Sequence, residues 1–284
     1  MATFYNQATL TYNGMAVASN VTTGEIVEVL SAVKTASIGT YRAGDTITYV
    51  VSLVNSGTTP LTGLTLTDDL GVYTDGTTSR VPLSYIEGSV LYYQNGVLQG
   101  APSVTVGTAL FISGITVPAG GNAVIIYQVD VNAFAPLGTG GEITNTVSVS
   151  GGGLMTPVVA EETVTVRDEA ILSITKSLSP TTVAENGEIT YTFVIQNTGN
   201  TEAGVDDNVS VSDTFDPILE NITVTFNGTA WSSPANYTYD EATGVFTTVP
   251  GQITVPAASY TRDPDTGAIS ITPGVSVLTV TGTI

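Results

Sequence analysis

The chain repeats one sequence pattern, and this internal repeat constrains its fold more than any other feature. The segment VLSAVKT at Val29–Thr35 recurs as ILSITKS at Ile171–Ser177. The only two lysines, Lys34 and Lys176, lie 142 residues apart, which is half of the 284-residue chain. A fixed period of this kind marks a repeat array, and each period is long enough to bury its own core. We therefore expect two domains of one fold.

The repeat is out of phase with the two ends of the sequence. A strand, a polar turn and a second strand at Phe4–Ile26 recur at Ile143–Val166, where they close the first repeat. The last strand, Val275–Ile284, resembles Asn122–Val131, which precedes that closing hairpin. The sequence thus predicts that the second domain lacks its closing hairpin and that the N-terminal segment carries an additional copy of that hairpin. The predicted parts are an N-terminal extension at residues 1–30, domain 1 at residues 31–167 and domain 2 at residues 168–284, the last incomplete without a donor strand.

Strand and turn signals predict an all-β fold. Ile47–Val54 alternates apolar and polar residues, and the Asn95–Gly96 dipeptide between two short strands is a strong hairpin signal. Ile253–Val255 is expected to be a strand, and the polar segment Tyr73–Arg80 a loop. Seven or more short strands per repeat predict two tandem immunoglobulin-like β-sandwiches with an N-terminal donor-strand extension.

Composition excludes several classes of function. The chain has no Cys and no His, so it has no disulfide, no thiol nucleophile and no imidazole base or metal ligand. Its formal net charge of −19 argues against binding to nucleic acid or to anionic membranes. No apolar run has membrane-spanning length, and no signal peptide is visible after Met1. We expect a non-enzymatic protein with no cofactor and no metal.

Three segments resemble a known family. They are GDTITYVVSLVNSGTTPLTGLTLTD at Gly44–Asp68, GEITYTFVIQNTGN at Gly187–Asn200 and ITNTVSVS at Ile143–Ser150. All three look like the conserved repeat domain of prokaryotic surface proteins, which implies an immunoglobulin-like sandwich used in tandem on surfaces. The chain also resembles the spore appendage proteins of clostridia. Those are released by lysis of the mother cell, so this resemblance implies an extracellular or spore surface reached without a signal peptide.

Each repeat places charged and amide side chains in phase with its apolar ones. Lys34, for example, follows Leu30 and Ala32 at intervals of two, and side chains two apart share one face of a strand. The same phase holds for the whole set, which comprises Lys34, Asp68 and Asn145 for domain 1 and Lys176, Asp213 and Asn6 for domain 2. Buried without partners, these groups would cost several kcal/mol each.

Two interpretations of these polar sets remain open. The first is a buried, hydrogen-bonded ion pair. The second is an autocatalytic Lys–Asn isopeptide bond, because the order Lys, Asp, Asn resembles that of Gram-positive pilin and adhesin domains. Burial favours a neutral, nucleophilic amine and a protonated acid, and that acid polarises the Asn carbonyl. We favour the bond, with Asp68 and Asp213 as the acids and with crosslinks Lys34–Asn145 and Lys176–Asn6.

The displaced hairpin predicts a mode of assembly. Phe4, Ala8, Leu10 and Tyr12 are in phase to fill the open groove of domain 2 by strand addition. Docking on a neighbouring subunit is head-to-tail and propagates as a filament. The expected protein is therefore a homopolymer, with Lys176–Asn6 as an intermolecular bond. The alternative is a surface adhesin or a carbohydrate-binding module, in which the single tryptophan, Trp231, would belong to a sugar-binding face.

Overall fold

The computed structural model describes residues 2–26 and 28–284, and nearly all of its regular structure is β-strand. Its contacts divide the chain into two compact units. Unit 1 takes the residues up to 39 together with 44–132 and 143–164, and unit 2 takes 40–43, 133–142 and 165–284. The expected domain borders at residues 30 and 167 stay a prediction. Among the described residues, no helix is long and apolar enough to cross a membrane.

The N-terminal segment forms a long, exposed β-hairpin. Its strands are β1 (Ala2–Asn6), β2 (Thr9–Tyr12), β3 (Met15–Ala18) and β4 (Thr22–Ile26). Strand β1 pairs with β4, and β2 pairs with β3. Asn13 and Gly14 join β2 to β3 with φ values of 45° and 77°. Two positive φ values in succession are what a tight two-residue hairpin turn requires, which explains the Asn-Gly dipeptide.

The strands that follow, up to residue 166, are β5 (Leu30–Ala36), β6 (Thr40–Tyr41), β7 (Thr46–Asn55), β8 (Leu61–Asp68), β9 (Tyr73–Asp75), β10 (Thr78–Arg80), β11 (Leu83–Tyr85), β12 (Leu91–Gln94), β13 (Val97–Leu98), β14 (Ser103–Val106), β15 (Leu110–Val117), β16 (Asn122–Val131), β17 (Glu142–Gly151) and β18 (Val158–Val166). One sheet has the order β13-β12-β16-β7-β5, with β11 also on β16. The other has the order β14-β15-β8-β17-β18, and β6 pairs in parallel with the end of β18.

The two sheets of unit 1 enclose its core. On β7, the inward residues Ile47, Tyr49, Val51 and Leu53 are fully buried, and on β8 so are Leu64 and Leu66. This alternation of buried and partly exposed residues is what a sheet shows when one of its faces packs against another sheet. The prediction of an immunoglobulin-like β-sandwich is confirmed. The predicted polar loop at Tyr73–Arg80 is wrong in detail, because it forms the β9–β10 hairpin.

The strands of unit 2 that follow β18 are β19 (Leu172–Ser179), β20 (Glu188–Asn197), β21 (Ser212–Thr214), β22 (Glu220–Phe226), β23 (Thr229–Trp231), β24 (Tyr237–Asp240), β25 (Val245–Thr248), β26 (Ser259–Arg262), β27 (Ile269–Thr272) and β28 (Gly274–Thr283), with one 3₁₀ turn at Val205–Asp207. One sheet has the order β19-β20-β28-β22-β23, and a smaller one has the order β21-β25-β24. The expected strand at Ile253–Val255 forms only an isolated bridge from Val255 to Ala203.

An aromatic cluster fills the core of unit 2. Phe215 stacks on Tyr191, with their ring centroids 4.8 Å apart, and it also contacts Phe246 and Tyr239. Leu278 and Val280 on β28 are buried beside them. Unit 2 therefore repeats the sandwich of unit 1 with larger side chains and with fewer strands in its second sheet.

Candidate crosslinking sites

The polar cluster of unit 1 lies between its two sheets. Lys34 on β5 and the tyrosines Tyr49 on β7 and Tyr127 on β16 belong to one sheet, and the two tyrosines are directly paired. Asp68 on β8 and Asn145 on β17 belong to the other. Asp68 pairs with Val147, and Asn145 lies two residues from Val147, so it shares the same inward face. A bond between Lys34 and Asn145 would therefore join the two sheets.

Lys34 and Asp68 form a fully buried ion pair. Lys34 Nζ lies 2.6 Å from Asp68 Oδ2, and both side chains are 0% exposed. The Tyr127 hydroxyl donates to the same carboxylate oxygen, and the backbone N–H of Leu70 donates to Oδ1 at 2.9 Å. The Lys34 ammonium also lies 4.6 Å from the centroid of the Tyr49 ring. The carboxylate is thus held in one orientation by three donors.

Asn145 is buried in this cluster with its polar atoms unsatisfied. Its side chain is fully buried, and neither Oδ1 nor Nδ2 has a hydrogen-bond partner. The amide lies near the Tyr49 and Tyr127 hydroxyls, where it opposes part of the rise that burial causes in their pKa, yet it forms no hydrogen bond with either. An unsatisfied buried amide costs about 1–3 kcal/mol per group. Its retention in a cluster that also holds a buried lysine calls for a chemical explanation.

Burial changes the acid–base properties of the cluster. Desolvation lowers the pKa of Lys34, and the attraction of Asp68 only partly offsets this effect. Burial also raises the pKa of Tyr127 well above its usual range, and that of Tyr49 in the same direction, so both hydroxyls stay neutral, and that of Tyr127 donates to Asp68. The lowered pKa makes Lys34 easier to deprotonate than an exposed lysine, and its neutral amine would be a nucleophile in the same cluster as the Asn145 amide.

Unit 2 repeats the ion pair in a more open setting. Lys176 on β19 pairs with Asp213 on β21, and their side chains are 41% and 19% exposed. The backbone N–H of Thr214 donates to Asp213 Oδ1 at 2.9 Å. The Lys176 ammonium lies 4.5 Å from the Tyr191 ring centroid and 5.5 Å from that of Phe215. The pair joins the equivalent strands and has similar aromatic support, but Lys176 is partly exposed to water, while the Oδ2 atom of Asp213 is buried.

The tyrosine that binds the acid in unit 1 has no counterpart in unit 2. Tyr49 pairs with Tyr127, whereas the equivalent Tyr191 pairs with Val280. Asp213 therefore receives no hydroxyl from β28. Tyr49, Tyr127 and Tyr191 were not predicted from the sequence as parts of these sites. Their inward phase was visible, but aromatic residues in that phase are ordinarily core packing.

Unit 2 also has an open edge and an uncovered apolar face. In unit 1, β8 lies between β15 and β17, whereas among the described strands β21 pairs only with β25. On β19, the inward side chains Leu172, Ile174 and Leu178 are 39% to 53% exposed. In unit 1 the equivalent Leu30 is buried. The Lys176–Asp213 pair joins the free edge of β21 to the exposed face of β19, and we name these two surfaces together the acceptor groove.

The structure places the proposed donor residues on the free N-terminal hairpin. Phe4, Ala8, Leu10 and Tyr12 are all exposed. Asn6 pairs with Thr22 across the hairpin, and both residues are exposed. The structure thus brings Lys34 to Asp68 and Lys176 to Asp213, but it pairs Asn6 within its own hairpin. No group of three or more acidic side chains placed to hold a metal occurs among residues 2–26 and 28–284.

The chain is similar to solved structures of other proteins. No protein-family model matches the chain, and no curated protein matches it. The chain is similar to the major pilin subunit of Bacillus cereus at 13% identity, covering 95% of this chain and 73% of that one, with a TM-score of 0.32. It is similar to a C-terminal fragment of the major pilin of Streptococcus agalactiae at 12%, covering 87% and 91%, with a TM-score of 0.34. It is also similar to the collagen-binding domain of a Staphylococcus aureus adhesin at 12%, covering 47% and 95%, with a TM-score of 0.31.

Proposed function

We propose that the chain is a structural subunit that polymerises head-to-tail into a filament on an extracellular or spore surface. The N-terminal hairpin of one subunit fills the acceptor groove of the next. The observation that carries this proposal is the acceptor groove itself, which lies where unit 1 has β17 beside β8. An uncovered apolar face and an unpaired strand edge favour strand addition from another chain.

The repeat supplies a register for this docking. In unit 1, Val147 pairs with Asp68 and Val149 pairs with Leu66. Asn6 corresponds to Asn145, so Ala8 corresponds to Val147 and Leu10 to Val149. Transferred to the acceptor groove, this register sets Ala8 opposite Asp213 and Leu10 opposite Val211. Tyr12 then follows on the same face and covers the outer part of the groove.

Docking in this register would complete a second reactive cluster. Asn6 would take the place at the Lys176–Asp213 pair that Asn145 takes in the cluster of unit 1. In each cluster Asp accepts a proton from Lys, and the neutral Nζ attacks Asn Cγ. The protonated Asp stabilises the developing charge on Oδ1 and helps to protonate Nδ2, which leaves as ammonia. One amide bond forms and one breaks, so no oxidant or cofactor is required.

The buried ion pair remains the competing interpretation of the unit 1 cluster. It accounts for the contact between Lys34 and Asp68, but it leaves the unsatisfied Asn145 unexplained. A covalent bond accounts for both, since the amide then becomes a reactant and not an orphaned polar group. The adhesin alternative has less support. Trp231 stacks on Phe226 with ring centroids 4.9 Å apart and is partly buried, which is ordinary packing.

A deletion tests whether the hairpin drives assembly. Without residues 2–25, the acceptor groove has no donor, so purified protein should remain monomeric in light scattering and show no fibres in electron microscopy. A matched pair of point variants separates the two faces of β2. Leu10→Asp places a charge on the face that docks, and Thr11→Asp places it on the opposite face. Leu10→Asp should prevent fibres and Thr11→Asp should permit them. Undiminished fibres from the deletion variant would refute the proposal.

A further inference from the structure

The N-terminal hairpin and the closing hairpin of unit 1 share one strand register. In the N-terminal hairpin, Tyr5 pairs with Thr23, and Phe4 pairs with Gly24. In the closing hairpin, the hydroxyl oxygens of Thr144 and Thr163 are 2.8 Å apart, which sets these two residues opposite each other. Ile143 is then opposite Val164. Two hairpins of the same register are potential competitors for the same groove.

The two hairpins differ at one inward cross-strand pair. Unit 1 has Ile143 opposite Val164, and both side chains are buried in its core. The N-terminal hairpin has Phe4 at the position of Ile143 and Gly24 at the position of Val164. The Phe4 ring lies directly over Gly24, so that a Cβ added to Gly24 would overlap it. At this pair, the closing hairpin of unit 1 has two medium-sized side chains, whereas the N-terminal hairpin has one large side chain opposite a glycine.

The core of unit 1 has no room for the larger side chain. Gly71, with a φ of 72°, lies against Ile143, and a Cβ at Gly71 would be only 2.5 Å from Ile143 Cγ2. Pro82 and Leu83 close the same space, at 3.3 Å and 3.6 Å from that Cβ position. A phenyl ring in place of Ile143 would have to displace backbone as well as side chains, which makes overpacking costly.

In unit 2, no described strand occupies the position that β17 takes in unit 1. The inward side chains of β19 are still exposed, and no described strand pairs with the free edge of β21. We propose that the Phe4–Gly24 pair is the specificity determinant that directs the N-terminal hairpin to unit 2 of a second copy of this chain. The pair also prevents the hairpin from replacing β17–β18 in unit 1. This inference rests on the proposed function.

Discrimination between unit 1 and unit 2 prevents the N-terminal hairpin from binding to the wrong unit. If the N-terminal hairpin exchanged into unit 1, Asn6 would meet Lys34 in place of Asn145. The resulting chains would be linked through the wrong unit, with the closing hairpin displaced. A mismatch in shape between the Phe4–Gly24 pair and the core of unit 1 would allow the hairpin to distinguish two otherwise similar sites.

The test exchanges the pair in the full-length chain. Phe4→Ile combined with Gly24→Val gives the N-terminal hairpin the pair found in unit 1. Tyr5→Thr is the matched control, because Tyr5 is exposed on the opposite face and the equivalent residue in unit 1 is Thr144. Each variant carries Lys176→Ala, so that growth is followed by light scattering without any contribution from covalent bonds. We expect the double variant to grow roughly tenfold more slowly and the control to match the parent.

A second measurement identifies directly the unit to which the N-terminal hairpin binds. With Lys176 restored and Asn145→Ala added, Lys34 is free to react. Peptide mass spectrometry should find only Asn6–Lys176 crosslinks for the parent hairpin, and Asn6–Lys34 crosslinks as well for the Phe4→Ile/Gly24→Val hairpin. Equal growth rates together with an unchanged crosslink pattern would overturn the assignment of the pair. Failure of the proposed function is a separate result, because the chain lacking residues 2–25 would then assemble as the full chain does.

Discussion

Lys34 and Lys176 occupy the same position in the two repeats, yet their side chains are 0% and 41% exposed. Each pairs with an Asp on the opposite sheet and lies over a Tyr ring. The local sequence therefore reproduces the ion pair in both units. The difference comes from β17, which covers the cluster in unit 1 and has no counterpart among the described strands of unit 2. Burial at these sites depends on a strand more than 100 residues away from Lys34 in sequence.

On the proposed mechanism, this difference predicts that the two clusters react at different times. The unit 1 cluster is complete when unit 1 folds, because Asn145 is already in place. The Lys176 side chain stays partly exposed until a donor strand covers it, so water competes for its ammonium group. We expect the intermolecular bond to form only after docking, so that assembly precedes covalent locking.

The largest expected effect separates the two lysines in assembled fibres. Lys176→Ala removes the intermolecular amine, so fibres boiled in detergent should fall from a ladder to monomers. Lys34→Ala removes only the intramolecular amine, so its ladder should persist. Intact-mass spectra should show about 17 Da lost as ammonia for each bond formed. A ladder that survives Lys176→Ala would contradict the assignment of Lys176.

The next largest effect distinguishes a bond from an ion pair in unit 1. Asn145→Ala blocks the bond but leaves the ion pair, whereas Lys34→Met with Asp68→Leu removes both and leaves apolar packing. If only an ion pair existed, the double change would be neutral or stabilising, by up to about 4 kcal/mol. With a bond present, both variants should melt at a lower temperature than the parent in calorimetry. A parent that melts no higher than the double variant would favour the ion pair.

Tyr127 offers a smaller effect that is confined to unit 1. Tyr127→Phe removes the hydroxyl that donates to Asp68, a charged hydrogen bond worth about 1.5–3 kcal/mol. The Lys34–Asn145 bond should form more slowly after refolding, by roughly tenfold, while the Lys176–Asn6 bond should be unaffected. Time-resolved mass spectrometry measures both in one sample. Equal slowing of the two bonds would point to a general loss of folding.

The smallest effect is the pH dependence of bond formation in unit 1. The reaction needs the proton that Lys34 brings to the pair, so the rate should fall at high pH, where Lys34 has lost that proton to solvent. Desolvation lowers the pKa of Lys34 from 10.5, so the basic limb of the rate profile should lie below that value. Rates from refolding at fixed pH steps check this. A basic limb above 10.5 would exclude Lys34 as the buried nucleophile.

Much of the fold was predictable from periodicity. The in-phase apolar residues of Ile47–Val54 correctly indicated a half-buried strand, which the structure extends to Thr46–Asn55. The Asn95–Gly96 hairpin is present, with both residues at positive φ. Periodicity was less informative for a short segment that has no neighbouring strand in the sequence with which to pair. Ile253–Val255 has the apolar pattern of a strand, but it finds only a single bridge.

The sequence by itself determined the repeat, the strand phase and the inward positions of Lys34, Asp68 and Asn145, because these depend only on spacing along the chain. It also determined the polar identity of the equivalent residues Lys176, Asp213 and Asn6. Only the tertiary structure decided that Tyr127 donates to Asp68, that Val280 takes its place in unit 2, and that Lys176 is open to water. Those facts depend on which strands become neighbours across a sheet or between sheets, and the period of a single strand carries no information about its neighbours.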